Sequence, residues 1–500
     1  MKHYLLVSGI LLMLLLVAVA PASAATPEEI EASVVKGLAW LDLQQNQGDG
    51  SWGSWGSYCR VAQTGLAVLK FEDRAYELGF DSPLDEGYEY HDNVANGLDF
   101  LQDNVQVDGS IWDLVCGQTY ETSIAVMALS QSGAADGIGE AVQDAVTWLI
   151  TTQKADGGWR YPAGGSSDQS NSGWATLALV YAQNGYGVDI SPTMQEPDPD
   201  LHDWVSTIQC KNAGDDYGGS GYDSACYWVN ILKTGNLLYQ FAMLGKPVTD
   251  SDVNAAIGYI EKHWTAAGDG SEGWENHCQA MYTLMKGLEA YDIDLIDTDG
   301  DGIRDDDWFD QVSTHLISMQ NPIDGSWPND PWASETLPTS WALLTLEKFV
   351  IPPTLTVSVD FKPTSCPNSF YVKEKGVLPV AILGSNKYDI TKINPATIRL
   401  HLPDSVPETG VAPLRWAYED VSAPTENSCS CGYACPGPDG LKDLTLKFNA
   451  PAVIQTLEPS TMSGCVKLQV SGNLYGDEPG ETGQKFAGSD FLRLLQTKVV

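Results

Sequence analysis

The chain has 500 residues, 43% of them hydrophobic and 16 of them Trp, so it is long enough for two or three packed domains and too apolar to be a disordered polymer. Lys and Arg number 27 against 66 Asp and Glu, a formal net charge of -39 at pH 7. A field of that sign repels nucleic acid and anionic lipid surfaces, and a diphosphate-bearing substrate would need a local basic patch or a bound metal.

At the N-terminus Lys2 and His3 precede an apolar run from Tyr4 to Ala20, and Ala22-Ser23-Ala24 supplies a small-x-small cleavage site. Residues 1–24 read as a secretory signal peptide, with a membrane anchor as the competing reading. The mature chain is then expected from Ala25, secreted or at the cell surface, with no transmembrane segment. There are 10 cysteines, and in an exported protein an even count points to disulfides. Five lie on each side of a boundary near residue 350, which leaves one thiol per side free, metal-bound or joined across it.

From residue 25 to residue 350 one pattern recurs six times: an apolar helical run closed by a Gly-rich turn with an aromatic residue. The first copy is Gly37-Leu38-Ala39-Trp40-Leu41 with Asp49-Gly50-Ser51-Trp52, and the sixth runs from His315-Leu316 through Gln320 to Asp324-Gly325-Ser326-Trp327. Closing aromatics fall at Trp52, Trp112, Trp159, Tyr222, Trp274 and Trp327. Each is followed by a second helix, over 58–71, 118–131, 170–183, 226–244, 275–290 and 335–349. These second helices are apolar all round and are expected to be buried inside the amphipathic first ones, a closed double ring.

The repeat, with its Gln, Asp-Gly turn and Trp, resembles the terpenoid cyclase and protein prenyltransferase superfamily, which implies an all-α α/α toroid of six helix-pair repeats over 25–350. The Gly, Gln and Trp read as staples between repeats. The Asp-x-Asp-Asp motif of protonating cyclases is absent, as is the Cys-Gly-Glu-Gln motif of thioester proteins. The prenyltransferase zinc set implies Asp223, Cys226 and His277 as ligands, although Asp223 and Cys226 stand three apart rather than two. The same cysteines also fit disulfides, Cys226 with Cys278 and Cys59 with Cys116. Similar rings carry glycan-active enzymes with paired carboxylates; Glu121, Glu275 and Glu335 near inner-helix starts fit that role or simple helix capping.

Between the fifth and sixth repeats lies Asp297-Thr298-Asp299-Gly300-Asp301-Gly302-Ile303-Arg304-Asp305-Asp306-Asp307. Carboxylates at loop positions 1, 3, 5 and 9, Gly at 6 and a backbone carbonyl at 7 match a calcium loop, with Asp297, Asp299, Asp301, Ile303, Asp305 and Asp307 as ligands. It resembles the loops of dockerins and thrombospondin type 3 repeats, but Trp308 stands where a bidentate acid is usual. Val350-Ile351-Pro352-Pro353 then marks a linker, after which period-two runs over 355–361, 376–384, 397–402, 444–448 and 465–470 read as a β-sandwich over 351–500. DFKPTSCPNSF and KGVLPVAILGSNKYDI resemble a module of bacterial and archaeal surface proteins. Its Cys429, Cys431 and Cys435 fit zinc or, with Cys366 and Cys465, disulfides.

The expected protein is a multidomain secreted or surface scaffold, an α/α toroid followed by an all-β sandwich-like domain. It would hold calcium and bind an apolar ligand, a glycan or another surface protein. The alternative is an enzyme, either a zinc prenyltransferase-like transferase or a carboxylate-dependent glycan-active one.

Overall fold

The computed structural model describes residues 24–495 apart from 54–58, 81, 114–115, 134–136, 162–164, 194–199, 267–271, 331–335, 349–354, 364, 366, 385–389, 403–409, 424–436, 458–463 and 476–481. The proposed leader, Glu335 and Cys366, Cys429, Cys431 and Cys435 lie outside the described residues.

Two kinds of helix alternate along the first part of the chain. The outer ones are α1 (Pro27–Leu43), α3 (His91–Asp103), α5 (Ile138–Thr152), α7 (Leu201–Ile208), α9 (Ser251–Lys262) and α11 (Trp308–Met319). The inner ones are α2 (Arg60–Glu77), α4 (Gln118–Gln131), α6 (Gln169–Tyr186), α8 (Ile231–Met243), α10 (Cys278–Glu289) and α12 (Leu337–Leu346). Burial separates the classes as their composition requires: α1 buries Ser33, Val34, Gly37, Leu38 and Leu41 along one stripe, whereas α2 is buried continuously from Arg60 to Ala75. Each inner helix packs on the next and α12 packs back on α2, so the inner ring is closed.

The repeat residues act as the sequence implies. Trp52, Trp159 and Trp327 each donate their indole N–H to a carbonyl of the outer helix just ended, that of Leu41, Leu149 and Leu316, at 2.7–2.8 Å. Gln45, Gln153, Gln209 and Gln320 donate both to the Gly carbonyl of their own turn and to a carbonyl in the next unit, Asn93, Thr193, Asp252 and Ser33. The last of these closes the ring, because Ser33 belongs to α1. The turn glycines have left-handed backbone, and a Cβ would run into the neighbouring unit: 1.8 Å from Asp200 O at Gly157 and 2.5 Å from Lys36 O at Gly325.

Two repeats are offset from their sequence reading. The residue after the turn donates its backbone N–H to a hydroxyl of the following inner helix. That residue is Ile111 on Thr122 in the second unit and Ser220 on Thr234 in the fourth, as it is Trp52 on Thr64 in the first. The structural equivalents of Trp52 are therefore Ile111 and Ser220 rather than Trp112 and Tyr222. Helices α8 and α10 also start later than the apolar pattern predicts, at Ile231 and Cys278. Left-handed backbone at Trp228 (φ 53°) and Asn276 (φ 60°) interrupts the run before each.

Beyond α11's leading strands β1 (Leu295–Ile296) and β2 (Asp306–Asp307), which pair antiparallel, the remaining strands form two sheets. One contains β3 (Leu355–Thr356), β5 (Ser369–Tyr371), β7 (Arg399–His401), β10 (Gly464–Tyr475) and β11 (Thr482–Leu495); its path is β3-β11-β10-β7, with β5 on β11. The other is β4-β6-β9-β8, formed by β4 (Val359–Phe361), β6 (Val377–Ile382), β8 (Pro413–Glu419) and β9 (Asp443–Asn449). A separate apolar core that includes Phe361, Leu378, Leu446, Phe448, Leu468 and Phe486 joins them. The alternating pattern marks β3, β4, β6, β7, β9 and β10; it misses the short β5, β11, whose Gly488 and Ser489 break the apolar run, and β8, from whose exposed surface no alternation arises. Among the described residues no helix is long and apolar enough to cross a membrane.

Candidate functional site: the ring mouth and the acidic loop

A chain of aromatic rings spans the centre of the ring. Tyr120 on α4 meets Trp174 on α6 edge-on, with centroids 5.6 Å apart, and Trp174 stacks on Tyr282 of α10 at 5.9 Å. Helices α4 and α10 stand opposite one another, so this chain of rings crosses the bore. Further toward the C-terminal ends, Lys286 donates to the Tyr181 hydroxyl at 3.0 Å, Gln131 donates to Asp73 at 3.1 Å, and Lys70 pairs with Glu347. Burial lowers the Lys286 ammonium to about 8 and raises the Asp73 carboxyl to about 6, against the opposing pull of Lys286 and Lys70 on the latter. Glu72, buried beside Asp73, is raised well above the carboxylate range.

Exposed aromatic rings gather over buried polar groups at the opposite face, where the inner helices begin. Asp168 caps α6, accepting from the Asn171 backbone at 2.8 Å, and burial raises its carboxyl. The Tyr161 ring lies over Gly117, the N-cap of α4, where a Cβ would come within 1.8 Å of it, and Tyr161 is 41% exposed. Tyr222 and Trp228 sit together before α8, centroids 5.3 Å apart, with Trp228 40% and Tyr227 59% exposed. The Tyr222 carbonyl accepts from Gln169 at 2.7 Å, which ties this loop to the start of α6. Beneath the rings lies Lys233, its ammonium 4.4 Å from the Trp228 centroid and lowered by desolvation to about 7.

The carboxylates singled out in the sequence separate. Glu121 is buried, accepts from the Val61 backbone at 3.2 Å and is raised to about 8 by desolvation, so it caps α2 rather than lining an open funnel. Glu275 is exposed, and its charge opposes the lowering of the His315 imidazole by burial. The zinc set Asp223, Cys226 and His277 does not assemble, because the Cys226 sulfur is bonded to Cys210. His277 instead places Nδ1 3.5 Å from Asp330 Oδ2. Cys278 is therefore a buried free thiol and not the partner of Cys226, whereas Cys59 does pair with Cys116, and Cys465 is disulfide-bonded. Loop closure decided this: Cys210 follows α7 and its backbone pairs with Gly218 and Gly219, which brings it onto Cys226.

In the acidic loop Asp297 accepts from the backbones of Gly300 and Gly302 at 2.6 and 2.9 Å, and Asp301 accepts from Ile303 at 2.8 Å. Arg304 holds Glu261 of α9 through Nε at 2.6 Å, pinning the loop to the outer ring. The pairing of Ile296 with Asp306 closes the loop and brings Asp297, Asp299 and Asp306 to within 4.8 Å of one another. They are the group of acids, His or Cys close enough to share an ion among the described residues. Asp307 instead caps α11, accepting from Phe309 and Asp310, and Asp301, Ile303 and Asp305 are exposed outside that trio. Three hard oxygen donors suit calcium rather than a thiolate-seeking metal.

Sequence reasoning missed the mouth itself. Lys233, directly after Ile231-Leu232 in an inner helix expected to be apolar all round, was the available signal, since a lone lysine there has to be paired, snorkelling or desolvated.

No protein-family model matches the chain, and no curated protein matches it. Among solved structures it is similar to a type II terpene cyclase from Scytonema (MstE), at 14% identity over 64% of this chain and 98% of that one, TM-score 0.43. An α-1,6-mannanase of Salegentibacter in complex with α-1,6-mannotriose matches at 11% identity over 64% and 98%, TM-score 0.44. A sugar epimerase from a ruminal bacterium matches at 12% identity over 65% and 99%, TM-score 0.38. At these identities and scores the neighbours give no residue of this chain a role.

Proposed function

We propose that the chain is an exported, calcium-braced scaffold that binds a glycan at the mouth of its helical ring. The observation that carries the reading is the group of Tyr161, Tyr227 and Trp228, exposed aromatic rings on loops entering the inner helices, gathered about Tyr222 with the buried Asp168 and Asn171 beneath them. Aromatic faces beside a few fixed hydrogen-bonding groups are what a sugar ring needs, since its C–H face stacks and its hydroxyls require partners. The ring crossing by Tyr120, Trp174 and Tyr282 favours binding at the mouth over enclosure of a long apolar substrate in the bore. Disulfides at Cys59–Cys116 and Cys210–Cys226 support an oxidising compartment, in line with the leader sequence. Calcium held by Asp297, Asp299 and Asp306 would brace the connection between α10 and α11.

The test is a glycan array on the mature chain followed by calorimetry on the best ligand. Trp228→Ala is expected to weaken binding about tenfold or more, roughly 1.4 kcal/mol, with an unchanged circular dichroism spectrum. Absence of any glycan ligand, or an unaltered affinity in that variant, would sink the reading.

A further inference from the structure

Three lysines are almost fully buried in the ring: Lys70, Lys286 and Lys233, at 0%, 2% and 2% exposure. Two of them are partnered. Lys70 is paired with Glu347, and Lys286 donates to Tyr181 and feels the Asp73 carboxylate. Lys233 differs: among the described residues its ammonium makes no hydrogen bond or ion pair, and its neighbours are the Trp228 face at 4.4 Å and the Tyr222 face at 5.9 Å. Asp168, Tyr161, Arg160 and Asp223 surround Tyr222 in turn. None of them offsets the burial of Lys233, whose lowering to about 7 has desolvation as its cause.

We propose that Lys233 is an amine nucleophile at the ring mouth that captures an aldehyde or ketone as an imine. The Nζ lone pair forms the C–N bond to the carbonyl carbon while the carbonyl oxygen gains a proton, giving a carbinolamine. Loss of water then leaves the protonated imine, with no change of oxidation state. The step needs a free-base amine at neutral pH, which a solvated lysine supplies to only about one part in a thousand. It also needs a place for the resulting cation, and the Trp228 and Tyr222 faces provide one. The carbonyl compounds concerned include the ring-opened aldehyde of a reducing sugar. The inference shares Trp228 with the glycan reading but does not depend on it.

The test uses the mature chain at pH 7 with glyceraldehyde and cyanoborohydride, which reduces the imine to a stable adduct located by peptide mass spectrometry. Lys233 is expected to be modified about tenfold or more faster than exposed Lys36 and Lys375, while Lys70 and Lys286 stay unmodified. Lys233→Met, which keeps the length of the side chain without the amine, removes that adduct with an unchanged circular dichroism spectrum. Trp228→Ala, which admits water, slows labelling of Lys233 at pH 7 and restores it at pH 10. Labelling of Lys233 no faster than Lys36 in the folded wild-type chain overturns the proposal. A chain that traps the aldehyde but binds no glycan keeps this inference and loses the platform reading; glycan binding without trapping does the reverse.

Discussion

The N-cap of α2 is Cys59, which is drawn into a disulfide with Cys116 and has left-handed backbone (φ 60°), so the helix has no side-chain cap of its own. Glu121 of the neighbouring inner helix supplies it. Burial raises that carboxyl to about 8, far above its range in an unfolded chain near 4.3. The folded state therefore binds the extra proton, and the stability associated with it is present below about pH 4.3 and lost as pH rises through about 8. Glu121→Gln keeps the shape without the proton. Its melting temperature relative to wild type is expected to rise by about 2 °C or more between pH 5 and pH 8.5, measured by calorimetry. A flat difference would show that the carboxyl is ionised in the fold. The position of Glu121 at a helix start is legible in the sequence, but its burial is not, because that depends on where α2 lands.

At the scale of elements, the turn of each repeat is the unit of construction. Gly157→Ala would place a Cβ 1.8 Å from Asp200 O on a left-handed backbone, and is expected to cost about 3 kcal/mol in a denaturant titration. Gln320→Ala removes the donor shared by Gly325 and Ser33 at the seam between the last and first units, a loss of about 1–2 kcal/mol. Amide exchange should accelerate along α1 and α11 in that variant and along α1 and α3 in Gln45→Ala. Exchange that rises uniformly in both would contradict a seam held locally. The repeat made these staples readable from composition and spacing alone. The acidic loop was readable only in part, since strand pairing selects Asp306 over Asp305. Calcium is accordingly expected to raise the melting temperature in a way abolished by Asp306→Ala and retained by Asp305→Ala.

For the whole molecule, the ring and the sandwich have separate apolar cores, and the contacts between them include the partly exposed pair Lys467–Asp189 at 3.2 Å. An exposed pair of that kind contributes little coupling. Two calorimetric transitions are expected, of which calcium shifts only the one belonging to the ring, because the acidic loop is anchored on α9 and α11. A single transition that moves as a unit would show the two cores to be coupled.

The sequence by itself determined the repeat, the inner and outer classes of helix and the change to strands, because burial on all faces and fixed turn chemistry leave periodic traces in composition. Only the tertiary structure decided which sulfur meets Cys226, which side chains cross the bore and which buried lysine has no counter-ion among the described residues. Those outcomes depend on how the loops close and the units pack in three dimensions, and neither spacing nor composition records them.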